Sequence, residues 1–445
     1  MHKVVRGSAM TFVTRLGTFA ANLVMTILIA RLLGPDQLGE YTRLILIPTM
    51  LVHFATPSIG TANVYLCGTG KHELDKIAGN SLLSGLVFGI LVVVLYYLVS
   101  LTAPYGKLFD RLGANRELAM LAVLSLPFLL LLIYLRGMIR GSGRIAQFNL
   151  LISFVVLIQL LILIILYILR ALTLPGIVLS FVLANALTAG LGLLLTMRLT
   201  PIPLAFDWPL FKTTLQYSAK AYLWNGTYFL DRRLDLVLLG AMVSSTALGY
   251  YATAVNIVEK LFFLPEAVAT VSFPYVAGSS ENEAKRLTTA IGRQVFVLLA
   301  LLSLVVGLLA PQIIHLLFGA EFLPAAPVLR LLLWGNLFNA TSRLITVAFA
   351  GRGQPEMGAL SALVSVVVRG VGIALLVPLR GIVGAAAASS VGSILANGVI
   401  VSQFSRRHGI RVRDLFVPRA EDWLHYRQLY HQVTARFARM GKGDG

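Results

Sequence analysis

Four charged residues interrupt an apolar segment near the middle of the chain. Residues 228–240 read YFLDRRLDLVLLG, with Asp231, Arg232, Arg233 and Asp235 among hydrophobic neighbours. On a helix with 3.6 residues per turn, one arc of about 120° carries the polar and aromatic residues of this region. They are Lys220, Trp224, Tyr228, Asp231, Arg232 and Asp235, with Asn225 at the edge of the arc. Arg233 points away from this polar stripe.

Two interpretations of the stripe are open. The first is a helix that lines a water-filled cavity, where charged side chains avoid the lipid. The second is an internal salt bridge, in which Asp231 and Asp235 each neutralise Arg232 in part. We favour the cavity, because a stripe of about fifteen residues is longer than one ion pair requires.

The composition is that of a membrane protein. The 445 residues are 57% hydrophobic and 13% charged, whereas soluble proteins average about 25% charged residues. Apolar runs long enough to cross a bilayer recur along the whole chain. We therefore predict an all-α, polytopic membrane protein. The net charge of +18 is explained by anionic lipid and membrane topology, so no nucleic-acid partner is predicted.

The residue types also exclude several kinds of chemistry. One cysteine, Cys67, can form neither an internal disulfide nor a cysteine-built metal site. The chain has no Walker-type nucleotide-binding loop and no His-x-Glu or Cys-x-x-Cys spacing. We predict no cofactor, no metal site and no enzymatic activity.

About twelve membrane spans alternate with short connections. They lie near residues 8–30, 38–66, 77–101, 117–136, 147–169, 175–197, 214–242, 247–274, 287–310, 325–350, 357–378 and 382–404. Lysine and arginine are concentrated in the loops of one side, which places both termini in the cytoplasm. Arg43, Arg293, Arg330 and Arg343 lie near span ends and are expected to extend toward the membrane surface.

Short motifs recur 210 positions apart. LGEY at 38–41 returns as LGYY at 248–251, and other short matches keep nearly the same offset. This offset indicates a tandem repeat of two six-helix bundles, residues 1–200 and 201–405. Because each repeat has an even number of spans, a pseudo-two-fold axis along the membrane normal relates the bundles, with a cleft between them.

The polar residues deepest in the predicted spans are mostly cationic. We expect a substrate-binding site built from Arg15, Asn22, Lys220, Asn225, Arg232, Lys260 and Arg369. Charges at bilayer depth are costly unless they face protein or water, so these side chains are expected to line a cavity between the bundles. Guanidinium groups match phosphate oxygens, which favours an anionic substrate. Asp231, Asp235 and Glu259 are candidate sites for a coupling proton or sodium ion.

The charges do not follow the repeat. At the same offset, Arg15 corresponds to Asn225, and Asn22 corresponds to Arg232. Residues that are free of the packing constraints of the repeat are candidates for a substrate-specific site on a common scaffold.

The last segment, residues 406–445, is predicted to be a basic cytoplasmic tail. Residues 422–440 place apolar and aromatic side chains on one side of a helix, flanked by arginines. They are Trp423, Tyr426, Tyr430, Val433 and Phe437. This pattern predicts an amphipathic helix on the anionic inner membrane surface. A helix that docks on a partner protein is the alternative.

The chain also carries several helix-packing and turn motifs. They are ARLLGPDQLGEY at 30–41, ATPSIGTANVYLCG at 55–68, DLVLLG at 235–240 and LGYYATA at 248–254. Together with the layout of the spans, these motifs resemble bacterial polysaccharide flippases of the O-antigen type. That family shares a superfamily with multidrug/toxin extruders and lipid II flippases. The resemblance covers about residues 5–405.

The resemblance implies alternating access, in which the two bundles open inward and then outward. The cargo would be an undecaprenyl-pyrophosphate-linked oligosaccharide that crosses the bacterial inner membrane for O-antigen and lipopolysaccharide synthesis. The cationic cavity would hold the pyrophosphate and sugars, and Arg15 and the seventh-span residues fit this role. Implied partners are the lipid-linked oligosaccharide, membrane lipids, and polysaccharide polymerase and ligase proteins.

Three other functions fit the sequence less well. A lipid II flippase usually carries two further spans, which are missing here. A drug/ion antiporter on the same fold would favour an acidic cavity, whereas the deep charges here are mainly basic. A membrane-embedded glycosyltransferase or polymerase would need an acidic catalytic pair or long outer loops, and the sequence indicates neither.

Overall fold

The structure is all-helical. A computed structural model of the chain describes residues 2–112, 115–278, 280–351, 354 and 356–417. These residues form fourteen α-helices and two short 3-10 helices, with no strand among them. By length and composition alone, seven helical segments of this described part are able to cross a membrane. The basic stretch 422–440 lies outside the described residues.

The N-terminal lobe contains eight of the helices. They are α1 His2–Phe54, α2 Ile59–Thr69, α3 Leu74–Ser100, α4 Ala103–Leu112, α5 Arg116–Val123, α6 Leu126–Gly141, α7 Ile145–Ile168 and α8 Leu174–Met197. Helix α1 contains two predicted spans, because Gly34 adopts a φ of 71° and reverses the chain there. The second span continues in α2 after a break at residues 55–58.

The C-terminal lobe contains the other six. They are α9 Trp208–Met242, α10 Ser245–Gly278, α11 Glu281–Leu308, α12 Ala310–Phe318, α13 Ala325–Gly351 and α14 Glu356–His408. Helix α14 holds the last two predicted spans and bends at Gly381, whose φ is 56°. The 3-10 helices are Ala320–Phe322 and Val412–Leu415. Ten of the twelve predicted spans thus correspond to one helix or to one arm of a bent helix, and the spans near 38–66 and 117–136 are each formed by two consecutive helical pieces.

The two lobes meet where equivalent positions of the repeat face each other. Helix α1 packs against α10, and a Cβ atom placed on Gly39 would lie 2.8 Å from the backbone nitrogen of Gly249. A Cβ atom on Gly249 would lie 3.2 Å from the nitrogen of Gly39. Thr246 Oγ1 donates to Asp36 Oδ1 at 2.9 Å. Both pairs are 210 positions apart, so the local pseudo-two-fold axis passes between them.

Arginines strengthen this contact, which lies at the end of the lobes that is predicted to face outward. Arg43 is only 5% exposed. Its Nε donates to the Gly240 carbonyl at 2.9 Å and its Nη2 to the Val243 carbonyl at 3.0 Å. Arg31 Nε donates to the carbonyl of Leu317 at 2.8 Å, in the last turn of α12. Cationic groups at helix C-termini are favourable because they face the negative end of the helix dipole.

The expectation for the near-surface arginines is therefore wrong for three of them. Arg43 crosses to the other lobe instead of extending to the surface, and Arg293 is 4% exposed with its Nη1 donating to the Asp414 carbonyl at 2.9 Å. Arg343 binds the carboxylate of Glu266 with two hydrogen bonds of 2.7 and 2.8 Å. Arg330 is exposed as expected. Protein partners satisfy these charges more completely than the surface would.

The close approach of the lobes predicts the effect of a glycine substitution. In a Cys67→Ala background, Asp36→Cys with Thr246→Cys should form a cross-link, because the native side chains are hydrogen-bonded. Adding Gly249→Val should lower the yield severalfold, since the new side chain would collide with the backbone of Pro35. The measurement is cross-link yield in membranes after mild oxidation.

Gly190→Val is the matched control for this experiment. Gly190 lies inside α8 and has open space around it, so it should not change the yield. Equal yields with Gly249→Val and Gly190→Val would contradict the close contact of the lobes.

Candidate functional site

A cavity of about 190 Å³ lies inside the C-terminal lobe. Helices α9, α10, α13 and α14 supply its walls. The charged residues that line it are Asp231, Arg232, Asp235, Glu259, Arg343 and Arg369. The hydroxyl and amide side chains that line it are Asn336, Asn339, Ser342, Thr346, Ser361, Ser365, Ser389, Ser390 and Ser393. A polar interior of this kind is costly in a membrane protein and marks a functional site.

Arg369 is the most buried cation of the cavity, with 6% of its surface exposed. Its Nη1 donates to the backbone carbonyl of Asp231, and its Nη2 lies 3.9 Å from the Asp231 carboxylate. Nη2 also donates to Ser393 Oγ at 3.0 Å and to Ser365 Oγ at 3.3 Å. The guanidinium group therefore joins α9 to both arms of α14.

Asp235 is likewise buried, with 6% exposure. Its Oδ2 accepts a hydrogen bond of 2.8 Å from the Tyr251 hydroxyl group of α10. The same hydroxyl lies 3.2 Å from Ser389 Oγ on α14. The Tyr251 hydroxyl and the backbone N–H of Leu236, which donates to Oδ1 at 2.8 Å, together satisfy both carboxylate oxygens, as a buried charge requires.

The remaining cavity charges form contacts between α9, α10 and α13. The Arg232 guanidinium carbon lies 5.2 Å from the centre of the Phe262 ring, within the range of a cation–π interaction. Arg233 and Glu259 form an ion pair of 3.2 Å. Arg343, the last of the charged residues that line the cavity, forms an ion pair with Glu266.

Lys260 does not belong to this cavity. It lies on α10, but its Nζ is 5.4 Å from the centre of the Phe19 ring of α1. Phe263 packs against the same ring, with the centroids 5.2 Å apart. Helix α10 thus directs Glu259 and Phe262 to the cavity and directs Lys260 and Phe263 to the boundary between the lobes.

Asn22 lies on α1, in the N-terminal lobe. Its Nδ2 donates to the Thr18 carbonyl one turn earlier at 3.0 Å, and Thr18 Oγ1 contacts Ser153 Oγ of α7 at 2.8 Å. The side chains of Arg15, Lys220 and Asn225 are outside the part of the chain that the structure describes, although their backbones lie in α1 and α9.

The structure therefore divides the expected site in two. Arg232, Arg369 and the three candidate acids share one cavity, but it lies within the C-terminal lobe and not between the lobes. Lys260 faces the other lobe. Sequence reasoning missed Asn336 and Ser393, since small polar residues among alanine and glycine indicate helix packing. The repeated serines of SSVGS at 389–393 were the available signal.

Aromatic contacts join the lobes on the side where α2 meets α9. Tyr65 and Tyr217 stack with their centroids 4.5 Å apart, and the Tyr222 hydroxyl donates to the Phe54 carbonyl at 2.6 Å. His53 stacks on Phe229 at 4.5 Å. At the outer end the lobes are held instead by hydrogen bonds from Arg43 and Arg31 to backbone carbonyls.

Comparison with known proteins shows the family. A model of the polysaccharide biosynthesis protein family matches residues 28–327. The chain belongs to this family. It is 27% identical over 230 residues to a probable low-salt glycan biosynthesis flippase, Agl15, of Haloferax volcanii. That match covers 50% of this chain and about half, 48%, of the length of the curated relative.

The fold is shared with solved transporters. A lipid II flippase, MurJ, in an inward closed conformation has a TM-score of 0.78 and 14% identity, covering 92% of this chain and 89% of that one. An inward-facing multidrug resistance MATE family transporter of the MOP superfamily has a TM-score of 0.69 and 15% identity, covering 88% and 94%. The predicted all-α, two-bundle membrane fold is confirmed.

The partners of Arg369 predict its contribution to stability. Arg369→Met should lower the free energy of unfolding by about 2 to 3 kcal/mol, because it removes the ion-pair partner of the Asp231 carboxylate and one hydrogen bond each to Ser365 and Ser393. The measurement is thermal unfolding in detergent, where the melting temperature should fall by several degrees.

Arg330→Met is the comparison for Arg369→Met. Arg330 also donates to a carbonyl, that of Gly307 at 2.9 Å, but its side chain is exposed. Its loss should change the melting temperature little. Similar falls for both variants would argue against a special role of the buried guanidinium.

Proposed function

We propose that this protein is a flippase that translocates a lipid-linked oligosaccharide across a membrane, and is not an enzyme. Its membership of the polysaccharide biosynthesis protein family carries this proposal, and the flippase named among its relatives supports it. The finer proposal is an undecaprenyl-pyrophosphate carrier in the bacterial inner membrane, with both termini cytoplasmic. Its product would then pass to the polymerase and ligase proteins of surface polysaccharide synthesis.

We assign the pyrophosphate of the cargo to the boundary between the lobes. Lys260 supports this assignment, because it is a cation on α10 that faces α1. Arg15 on α1 and Lys220 on α9 are proposed to complete the cationic set, with the amides of Asn22 and Asn225 as further donors. Three cations that approach one anion from different helices would bind it more strongly than any one of them.

Translocation requires that the two ends of this boundary open in turn. The outer contact, with Gly39 against Gly249 and Arg43 across the lobes, is closely packed and hydrogen-bonded. We propose that this contact is the closure of the outer end, and that it opens when the cargo is released. The pseudo-two-fold arrangement supports this proposal, since a rocking motion about the axis separates one end as it closes the other.

We propose Asp231, Asp235 and Glu259 as the acids that couple an ion to this motion. Their partners are Arg369, Tyr251 and Arg233, respectively. A metal cation such as sodium would have to displace these partners, whereas a proton neutralises a carboxylate without a coordination shell. The contacts thus favour a proton.

The test of this function is reconstitution. Purified protein in vesicles should move a fluorescent undecaprenyl-pyrophosphate-linked oligosaccharide between leaflets. Arg15→Gln, Lys220→Gln and Lys260→Gln together should reduce the rate about tenfold or more, because the charge-assisted hydrogen bonds to pyrophosphate are lost. The readout is accessibility of the fluorescent sugar to a quencher that cannot cross the membrane.

Lys107→Gln, Arg198→Gln and Lys212→Gln together form the matched control. All three are exposed basic residues, so the same change in net charge should leave the rate nearly intact. An equal loss in both triple variants would mean that overall charge, and not the boundary site, determines transport. Transport of lipid II, measured as a second cargo, distinguishes a lipid II flippase from a flippase of lipid-linked oligosaccharides. A preference for a quaternary amine over both lipid-linked cargoes would reject the proposal of an anionic cargo.

The proposed opening of the outer contact predicts that a cross-link across it blocks transport reversibly. The cross-link between Asp36→Cys and Thr246→Cys, in the Cys67→Ala background, should stop transport, and a reductant should restore it. The reason is that the linked residues lie on opposite lobes at the end that must open. Full transport by the cross-linked protein would exclude opening at this contact.

A further inference from the structure

The cavity of the C-terminal lobe has features that the pyrophosphate site does not explain. It is lined by three guanidinium groups, those of Arg232, Arg343 and Arg369, and by three carboxylates, those of Asp231, Asp235 and Glu259. The wall therefore has no net formal charge. A ligand with a full charge of either sign would be attracted by one set of groups and repelled by the other, so the balance favours an uncharged ligand.

The cavity also offers many groups that hydrogen-bond neutral oxygen. Nine of its lining side chains are hydroxyls or amides. Several of the hydroxyls already donate to backbone carbonyls, as Ser361 does to Ala396 and Ser390 does to Leu331. Each such oxygen keeps lone pairs that can accept a hydrogen bond. The wall can thus both donate and accept, as the hydroxyl groups of a sugar do.

Two buried donors in this wall lack a partner. Among the described residues, Asn336 Nδ2 and Arg369 Nε are buried nitrogen atoms without a hydrogen-bond acceptor. Both residues line the cavity and are only 6% exposed. A buried donor without an acceptor is energetically unfavourable, because it has lost its hydrogen bonds to water. A ligand that brings acceptor oxygens to these two positions would recover this cost.

The volume limits the size of the ligand. About 190 Å³ is room for about six water molecules at ~30 Å³ each. This is the scale of one sugar ring and not of an oligosaccharide chain. The cavity is partly open, so the rest of a longer molecule can remain outside it.

We propose that the cavity of the C-terminal lobe binds one neutral sugar residue of the glycan cargo through Asn336, Arg369 and the neighbouring serines. The inference rests on the proposed function, because the sugar is taken to be part of the lipid-linked cargo. The lipid-linked pyrophosphate and the sugar would then occupy two sites on two different faces of α10. Sugar selectivity would be determined in the C-terminal lobe, apart from the cations at the boundary.

The experiment measures binding of free sugars to the purified full-length protein in detergent. The probes are the methyl glycosides of glucose, galactose, mannose and N-acetylglucosamine, detected by saturation-transfer NMR. At least one should give a signal that excess free sugar displaces. Asn336→Leu should reduce this signal about fivefold or more, and Ala362→Phe, which fills the cavity from α14, should abolish it.

Asn185→Leu is the matched control for these variants. Asn185 is a buried asparagine of α8 in the other lobe, where its side chain donates to Phe181. Its substitution should leave the sugar signal unchanged. Melting temperatures identify any variant that fails to fold, and the two cavity variants act by different means, loss of a donor and loss of space.

The outcomes separate this inference from the proposed function. Absence of any glycoside signal, or a signal that both cavity variants leave unchanged, would overturn the sugar site even if the vesicles transport the lipid-linked cargo. Binding of inorganic pyrophosphate that Ala362→Phe abolishes would also overturn it, since the cavity would then hold an anion. A glycoside signal with the expected sensitivity, in a protein that moves no lipid-linked glycan, would support the site and reject the flippase.

Discussion

A charged group inside a membrane is stable only when protein or water surrounds it, and this requirement organises the whole molecule. Arg43 meets it by crossing to the carbonyls at the end of α9. Arg369 meets it by joining Asp231 to the serines of α14. The first arrangement holds the lobes together and the second holds the helices of one lobe. The cost of burying a charge therefore accounts both for the contact that closes the outer end and for the hydrogen bonds that surround the cavity.

The contact between the lobes and the cavity differ in whether a ligand can add hydrogen bonds to those already present. At the closure, α1 and α10 approach closely at Gly39 and Gly249, so separation of the lobes breaks the hydrogen bonds that Arg43 and Thr246 make across the contact. In the cavity, Asn336 Nδ2 and Arg369 Nε have no acceptor among the described residues, so a ligand can add contacts without breaking any. These contacts support the proposals that rearrangement occurs at the boundary between the lobes and that a neutral group binds in the interior of one lobe.

Helix α10 connects these two regions. One side carries Lys260 toward α1 and the other carries Glu259 and Phe262 toward the cavity. Arg233 on α9 pairs with Glu259, so this ion pair joins α9 to the segment of α10 that carries Lys260. Residues 259 and 260 can face two different regions because adjacent residues of a helix point about 100° apart.

Much of the architecture could be predicted from the sequence, because bilayer thickness and the repeat act on local patterns. The apolar runs predicted the helices, and the offset of 210 predicted that Gly39 and Gly249 are equivalent. The polar stripe on α9 predicted that Asp231, Arg232 and Asp235 share a cavity, and the structure places all three along one. Helical periodicity is sufficient for this, since it depends on neighbours in the chain.

Only the tertiary structure decided which helices face that cavity. The stripe specifies one face of α9 but not its neighbours, and α9 lies beside both lobes. Placement of Arg369 and Ser393 opposite Asp231 depends on the bend of α14 at Gly381 and on its packing against α9. The sequence by itself determined the spans, the repeat and the polar face, because these follow from short-range periodicity. The partner of each charge was decided by tertiary contacts between different helices, such as the one between Asp231 and Arg369, which are 138 positions apart, and no local pattern records them.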